Sequence, residues 1–144
     1  MEYKAVETLI SNKVASLPYD VMFGHGRDAD FNQMKKRKYP LVWLDPMTVS
    51  TSNPNTFDNT ESYSITMVFL VDALPTDTSN TQNSLVDFAE SMARDFVNML
   101  NGDEYIEFAS KPELKPLHRT TFGVDHTSGC ILSFSLIVYD TYTC

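Results

Sequence analysis

The segment from Gly129 to Asp140 constrains the fold of this chain more than any other stretch, because its residues alternate between two classes. Successive side chains of an extended strand point to opposite faces. One face would be wholly apolar, and the other would be mixed and end in Ile137 and Tyr139. We therefore predict a strand with one face in the core and a second face that another copy of the chain can cover. The first face comprises Cys130, Leu132, Phe134, Leu136 and Val138, and the second comprises Ile131, Ser133, Ser135, Ile137 and Tyr139.

Two amphipathic helices are indicated by apolar residues that recur at spacings of three and four. The first spans about Glu2 to Ser16 and ends before Pro18, because the residue before a proline avoids the helical region. The second spans about Ser84 to Asn101, and Gly102 is a typical left-handed stop after its last turn. The apolar stripe of the first helix is Val6, Leu9, Ile10 and Val14, and that of the second is Leu85, Phe88, Ala89, Met92, Phe96, Val97 and Leu100.

Further strands are indicated at 39–44, 62–71 and 104–110, and 118–122 is a place where the chain can pair again. Residues 19–38 form a predicted linker, residues 47–61 a long polar loop or arm, and residues 124–129 a turn. Pro112 and Pro116 exclude a central strand over 111–117. We predict one α+β domain over 1–144. It has a four-stranded, mainly antiparallel sheet with both helices on one face, in the order helix-strand-strand-helix-strand-strand.

The charge distribution restricts the classes of partner. The formal net charge is −8, which disfavours general binding to DNA or to an anionic membrane because phosphates need neutralising cations. No apolar run approaches the roughly 20 residues that span a bilayer. The one concentrated positive charge is the run Lys35, Lys36, Arg37 and Lys38, which is either a solvated strand entrance or a contact with an acidic neighbouring subunit or passing nucleic acid.

The motifs of known catalytic and metal chemistry are missing or incomplete. Asp28-x-Asp30-x-Asn32 opens like a calcium loop, but Gln33 and Tyr39 stand where the required glycine and glutamate would be. His25, His118 and His126 are widely separated, and neither a nucleophile elbow nor a phosphate-binding glycine loop is present. We therefore predict no catalytic, metal-binding or cofactor-binding residues, and no cofactor.

The order of the elements resembles that of phage tail-terminator and related tail-completion proteins. The stretches that carry the resemblance are Tyr39 to Leu44, Ser62 to Val71, Ser84 to Asn101 and Gly129 to Tyr139. The resemblance implies a virion protein, assembled in the host cytoplasm, that forms a homo-oligomeric ring where tail meets head, as a hexamer or a multiple of it. It also implies contacts with neighbouring tail, neck or connector proteins, and DNA that passes through the lumen without specific binding.

Elementary physics is compatible with such a ring. Strands that are apolar on both faces need more cover than two helices provide, and a neighbouring subunit can supply it. An acidic surface with one basic run permits head-to-tail contacts. The candidate interface residues are Lys35, Lys36, Arg37, Lys38, Ile131, Ile137 and Tyr139. Two alternatives remain: a small-molecule-binding domain or enzyme with a cleft near His118 or His126, and a host-side adaptor that binds one protein partner.

Overall fold

The computed structural model describes residues 3–27, 38–52, 60–73, 78–104, 106–122 and 125–138, which form two helices and seven strands. The protein is of the α+β class, with a mixed sheet. The helices are α1 (Tyr3–Ala15) and α2 (Ser79–Asn101). The strands are β1 (Met22–His25), β2 (Leu41–Leu44), β3 (Thr48–Ser52), β4 (Thr60–Asp72), β5 (Ile106–Phe108), β6 (Glu113–Phe122) and β7 (Asp125–Val138).

All seven strands join one sheet in the order β1-β2-β4-β7-β5, with β3 added beside β4 and β6 beside β7. β1 and β2 are parallel, and the other pairs are antiparallel. Each long central strand pairs along its outer edge with two shorter strands. β4 pairs with β2 and β3, and β7 pairs with β6 and β5. The sheet therefore has a "β2 end", which contains β1, β2 and β6, and a "β3 end", which contains β3 and β5.

The pairing of β4 with β7 forms the centre of the sheet. Its register runs without a shift from Ser62 opposite Ile137 to Asp72 opposite Thr127. Gly129 lies opposite Leu70, and a Cβ atom added to Gly129 would lie 1.8 Å from the carbonyl oxygen of Phe69. A glycine in a strand often marks such a close backbone approach, so the register here depends on the missing side chain.

Both helices pack on the first face of the sheet and share one core with it. The predicted first helix is confirmed, and Val6, Ile10 and Val14 are buried beneath it. The first face of β7 is also confirmed, because none of its five predicted side chains is more than 7% exposed. In the middle of this core, the ring of Phe96 lies 6.1 Å from that of Phe69 and 6.3 Å from that of Phe134.

The second face of the sheet carries a separate apolar cluster at the β2 end. Leu41, Trp43, Val68 and Leu70 are at most 5% exposed within the single chain. Trp43 also donates its indole N–H to the carbonyl oxygen of Gly26, at 3.1 Å. The expectation that a neighbouring subunit must cover the apolar β-surface is therefore wrong for these four residues.

The prediction of a four-stranded sheet is wrong in detail. β1 lies inside the predicted linker, and it makes the sheet mixed because it pairs in parallel with β2. β6 runs through Pro116 and pairs on one side only, with β7, which is the edge position in which a proline is tolerated. β7 begins at Asp125, so residues 125–128 are strand and not turn.

The predicted polar loop or arm at 47–61 also needs correction. It contains β3 and the first residues of β4, which form a hairpin with Thr48 opposite Ser64 and Ser52 opposite Thr60. Residues 53–59 lie outside the described part of the chain. The strands predicted at 39–44 and 62–71 are present as β2 and β4 and pair antiparallel, with Leu41 opposite Leu70.

Helix α2 begins five residues earlier than predicted, and its buried face differs from the predicted apolar stripe. Thr78 caps it, because its hydroxyl accepts a hydrogen bond from the N–H of Thr81 at 3.3 Å. Phe88 is 40% exposed and packs edge-on against the ring of Tyr19, 5.6 Å away. The buried residues of α2 are Gln82, Val86, Ala89, Met92, Ala93, Phe96 and Leu100.

We expect Gly129→Ala to destabilise the protein, because the new methyl group would overlap the β4 backbone at Phe69. Overpacking of this kind costs about 1–3 kcal/mol, measurable as a lower denaturation midpoint in urea. Gly102→Ala is the matched control: Gly102 follows α2 as predicted but is right-handed, with φ −84°, and its added Cβ would meet no atom closer than 3.7 Å. Equal stability losses in the two variants would contradict the close approach.

Candidate assembly surface

The second face changes character along the length of β4 and β7. Beyond the apolar cluster, two cross-strand pairs present hydroxyl groups: Thr66 opposite Ser133, and Ser64 opposite Ser135. We call these four residues the hydroxyl face. Ser64 is exposed and the other three are half-buried. Their neighbours on the same strands, such as Ile65 and Phe134, point into the helical core, so the strand alternation separates an apolar from a hydroxyl-bearing side.

A groove of about 380 Å³ lies over the hydroxyl face and is bounded by the segment that joins β5 to β6. This segment is held to β7 by two hydrogen bonds: the N–H of Ala109 donates to the Ser135 carbonyl at 2.8 Å, and the N–H of Ser135 donates to Ser110 Oγ at 3.0 Å. Lys111 and Glu113 add one charge of each sign. The groove therefore presents mainly hydrogen-bonding groups with little net charge.

The predicted interface residues Ile131 and Ile137 both lie on the second face and are half-buried. They are not parts of one patch. Ile131 packs against the apolar cluster at the β2 end, whereas Ile137 lies opposite Ser62 and Glu107 at the β3 end. Six residues of strand separate them by about 20 Å, with Ser133 and Ser135 in between.

The structure describes only the last residue of the predicted basic run. Lys38 is exposed and forms an ion pair with Asp20, and its backbone N–H donates to the sulfur of Met22 at 3.4 Å. An exposed ion pair of this kind contributes about 0–1 kcal/mol. Lys35, Lys36, Arg37 and Tyr139 lie outside the described residues, so the interface predicted for them stays a prediction.

A second groove, of about 370 Å³, lies between α1 and β1, where sequence reasoning did not place one. His25 Nδ1 lies 3.1 Å from Glu7 Oε2, and the side chains of Lys4, Thr8, Ser11 and Phe23 line the rest. Nothing in the sequence around His25 indicated a partner on α1. The cleft predicted near His118 or His126 stays a prediction: His126 is exposed on β7, and the side chain of His118 lies outside the described part.

Burial changes the chemistry of two side chains on the first face. Burial raises the pKa of the Cys130 thiol to about 12, with the carboxylate of Glu90 adding to the effect. Burial, together with the hydrogen bond that Tyr63 donates to Glu61 at 2.9 Å, raises the pKa of the Tyr63 phenol to about 12. A thiol held protonated is a poor nucleophile and metal ligand. The described residues contain no cluster of three or more His, Cys, Asp or Glu side chains placed to hold a metal ion.

Neither of the two helices in the described part has both the length and the apolar character needed to cross a bilayer. The chain matches no protein-family model and no curated protein sequence.

We expect stability to fall as pH rises from about 9 to 12. Below pH 9 both thiol and phenol are protonated in folded and unfolded chains. Above their ordinary pKa values of 9.0 and 10.0 the unfolded chain loses protons that the folded chain keeps, so unfolding becomes more favourable. The measurement is the urea midpoint at pH 8, 9, 10 and 11. Cys130→Ala and Tyr63→Phe should each make the urea midpoint depend less steeply on pH. If the midpoint falls equally steeply in the wild type and in both variants, neither side chain causes the loss of stability.

Proposed function

We propose that the protein is a structural virion subunit of the tail-terminator type, which forms a homo-oligomeric ring at the junction of head and tail. The observation that carries the proposal is the hydroxyl face. It is a part of the sheet over which no described helix packs, and its outward side chains are uncharged serines and threonine. Such a surface accepts either a polar protein neighbour or water.

The resemblance in element order supports the same proposal. The stretches that carry the resemblance form β7, α2 and the pairing of β2 with β4, and this order of elements supports the proposal. The internally buried apolar cluster removes one argument for a neighbouring subunit, because Leu41 and Trp43 are covered within the chain. Contacts in a ring would therefore be made by polar and half-buried groups such as Ile137, in contrast to an obligate interface that resembles a divided core.

The charge distribution gives the proposed ring its geometry. A subunit of net charge −8 repels its own copies unless oppositely charged or neutral patches meet. The basic run at Lys35–Lys38 offers a positive patch to an acidic patch of the next subunit. Two different patches form a head-to-tail contact, which closes into a ring when the rotation fits. An acidic lumen would let DNA pass without sticking, because binding to DNA depends on neutralised phosphates.

The mass of the purified protein tests this proposal. We expect native mass spectrometry to give a closed set of several copies, a hexamer or a multiple of it, and negative-stain images to show rings. A chain that remains monomeric up to the highest soluble concentration, and that is missing from purified particles, would contradict the ring.

Charge reversal of the basic run tests how the ring closes. We expect Lys35→Glu, Lys36→Glu and Arg37→Glu together to reduce the assembled fraction, with rising salt weakening the wild-type ring as well. The matched control reverses Lys4, Arg94 and Lys115, which are exposed, do not line the groove over the hydroxyl face and give the same net charge. Equal loss in both triple variants would indicate general repulsion, and unchanged assembly in the first would remove the basic run from the interface.

One observation favours a second candidate, a small-molecule-binding domain. The groove beside His25 and Glu7 has a volume within the range of ligand pockets and is lined by both charged and aromatic side chains. His25 is 55% exposed in this groove, so a ligand can reach its ring. A monomer that retains a bound small molecule through purification would favour this candidate over the ring.

A further inference from the structure

The outer edge of β3 carries an inference beyond ring formation. Four of the described strands pair on one side only: β1, β3, β5 and β6. Such edges present backbone N–H and C=O groups that can pair with another chain. Proteins usually protect them with charged residues, proline, bulges or a covering segment.

Three of these edges show recognisable protection. β6 contains Pro116 and Lys115, and its register with β7 shifts between Leu117 and Thr120. β5 is only three residues long and has the exposed carboxylate of Glu107 at its centre. β1 is four residues long and ends at His25, whose Nδ1 lies 3.1 Å from Glu7 Oε2 of α1.

β3 has none of these protections within the described structure. Its sequence Thr-Val-Ser-Thr-Ser contains no charge and no proline, and its register with β4 has no shift. Thr48, Val49 and Ser50 are all exposed, which indicates that these three residues are uncovered on both faces of the sheet. Threonine and valine also favour the extended conformation that strand pairing needs.

An apolar flank lies beside the same edge. Val49 is 41% exposed and Tyr3 is 36% exposed, and they are two of the three exposed large hydrophobic side chains in the described part. Tyr3 lies near β3 because its hydroxyl accepts a hydrogen bond from the N–H of Met47, at 2.8 Å. A strand added to β3 would therefore gain apolar contacts as well as backbone hydrogen bonds.

We propose that β3 pairs antiparallel with β3 of a second copy of this chain, about a twofold axis. A twofold contact brings each patch against itself, so any charged patch would meet its own charge. In a chain of net charge −8, the uncharged β3 edge is a surface on which two copies can meet without that repulsion. This contact differs from the head-to-tail contact of the proposed ring and does not depend on it.

The length of β3 sets how strong the contact is. Five residues extend about 17 Å, and a pair of such strands buries less than a standard stable interface. Two isolated chains would therefore pair only at high concentration. Several copies held in one ring would pair far more strongly, because the linked contacts act together.

Ser50→Lys tests the contact. Ser50 is the central residue of Thr48–Ser52, so in a symmetric pair the two Ser50 residues face each other and the substitution places two lysines in direct opposition. We expect sedimentation at high protein concentration to show half the wild-type mass. Ser84→Lys is the control, since it makes the same substitution at an exposed position on α2. Far-UV circular dichroism verifies folding.

Cross-linking tests the same contact without relying on disruption. Opposed residues of antiparallel strands have Cα atoms 4.5–5.5 Å apart, a separation that a disulfide can span. In a Cys144→Ser background, where Cys130 is buried, we expect Ser50→Cys to form a covalent dimer on mild oxidation and Ser84→Cys to remain monomeric.

The proposal is overturned if Ser50→Cys forms no dimer, or if Ser50→Lys and Ser84→Lys change the mass equally. It is also overturned if β3 binds an extended segment of another protein while the chain does not pair with itself. A closed ring of half the wild-type mass in Ser50→Lys is the result that both proposals expect. A chain that cross-links through Ser50→Cys but forms no ring would overturn the proposed function alone, so the two proposals fail separately.

Discussion

The close antiparallel pairing of β4 with β7 is the constraint on which the rest of the structure depends. The two strands keep one register over the whole stretch from Ser62 to Asp72, and each supplies the outer edge for two shorter strands. Gly129 permits a close backbone approach to Phe69 in this pair. Because side chains alternate along a strand, a slip of one residue would exchange the helical core with the hydroxyl face.

This register gives the two faces of the sheet different roles. The first face is closed by α1 and α2, and its side chains from Val42 to Val138 belong to one core. The second face is divided: the β2 end buries its apolar cluster within the chain, and beyond this cluster the hydroxyl face presents serines and threonine. Folding of a single chain therefore satisfies the strongly apolar surfaces, and any assembly has to use surfaces that remain stable in water.

The sequence predicted the elements whose periodicity is long and regular. The last strand, the first helix and the strand at residues 62–71 follow from alternation or from helical spacing. β1 and β3 were missed for physical reasons. Met22–His25 is too short to show a period and is fixed by its parallel partner, whereas Thr48–Ser52 has a single apolar residue, Val49, and so shows no apolar alternation. α2 begins early because Thr78 caps it, although the residues that follow are polar.

The candidate surfaces were harder to predict than the fold. Ile131 and Ile137 were assigned correctly to the second face, but the sequence gives no means of seeing that one packs in an internal cluster and the other lies at the far end. The pairing of His25 with Glu7 joins residues 18 positions apart on a helix and a strand, and no local pattern indicates such a contact.

Neutral surfaces have particular importance in a chain of this charge. Nineteen acidic residues against eleven basic ones make most self-contacts repulsive. Only patches with few charges, or patches of opposite sign, can meet at little electrostatic cost. The hydroxyl face and the β3 edge are of the first kind and the basic run is of the second. A contact between unlike patches sets a direction around a ring, whereas a contact of a patch with itself joins two copies about a twofold axis. Both kinds of contact in one chain would generate an assembly of dihedral symmetry, in which two rings face each other.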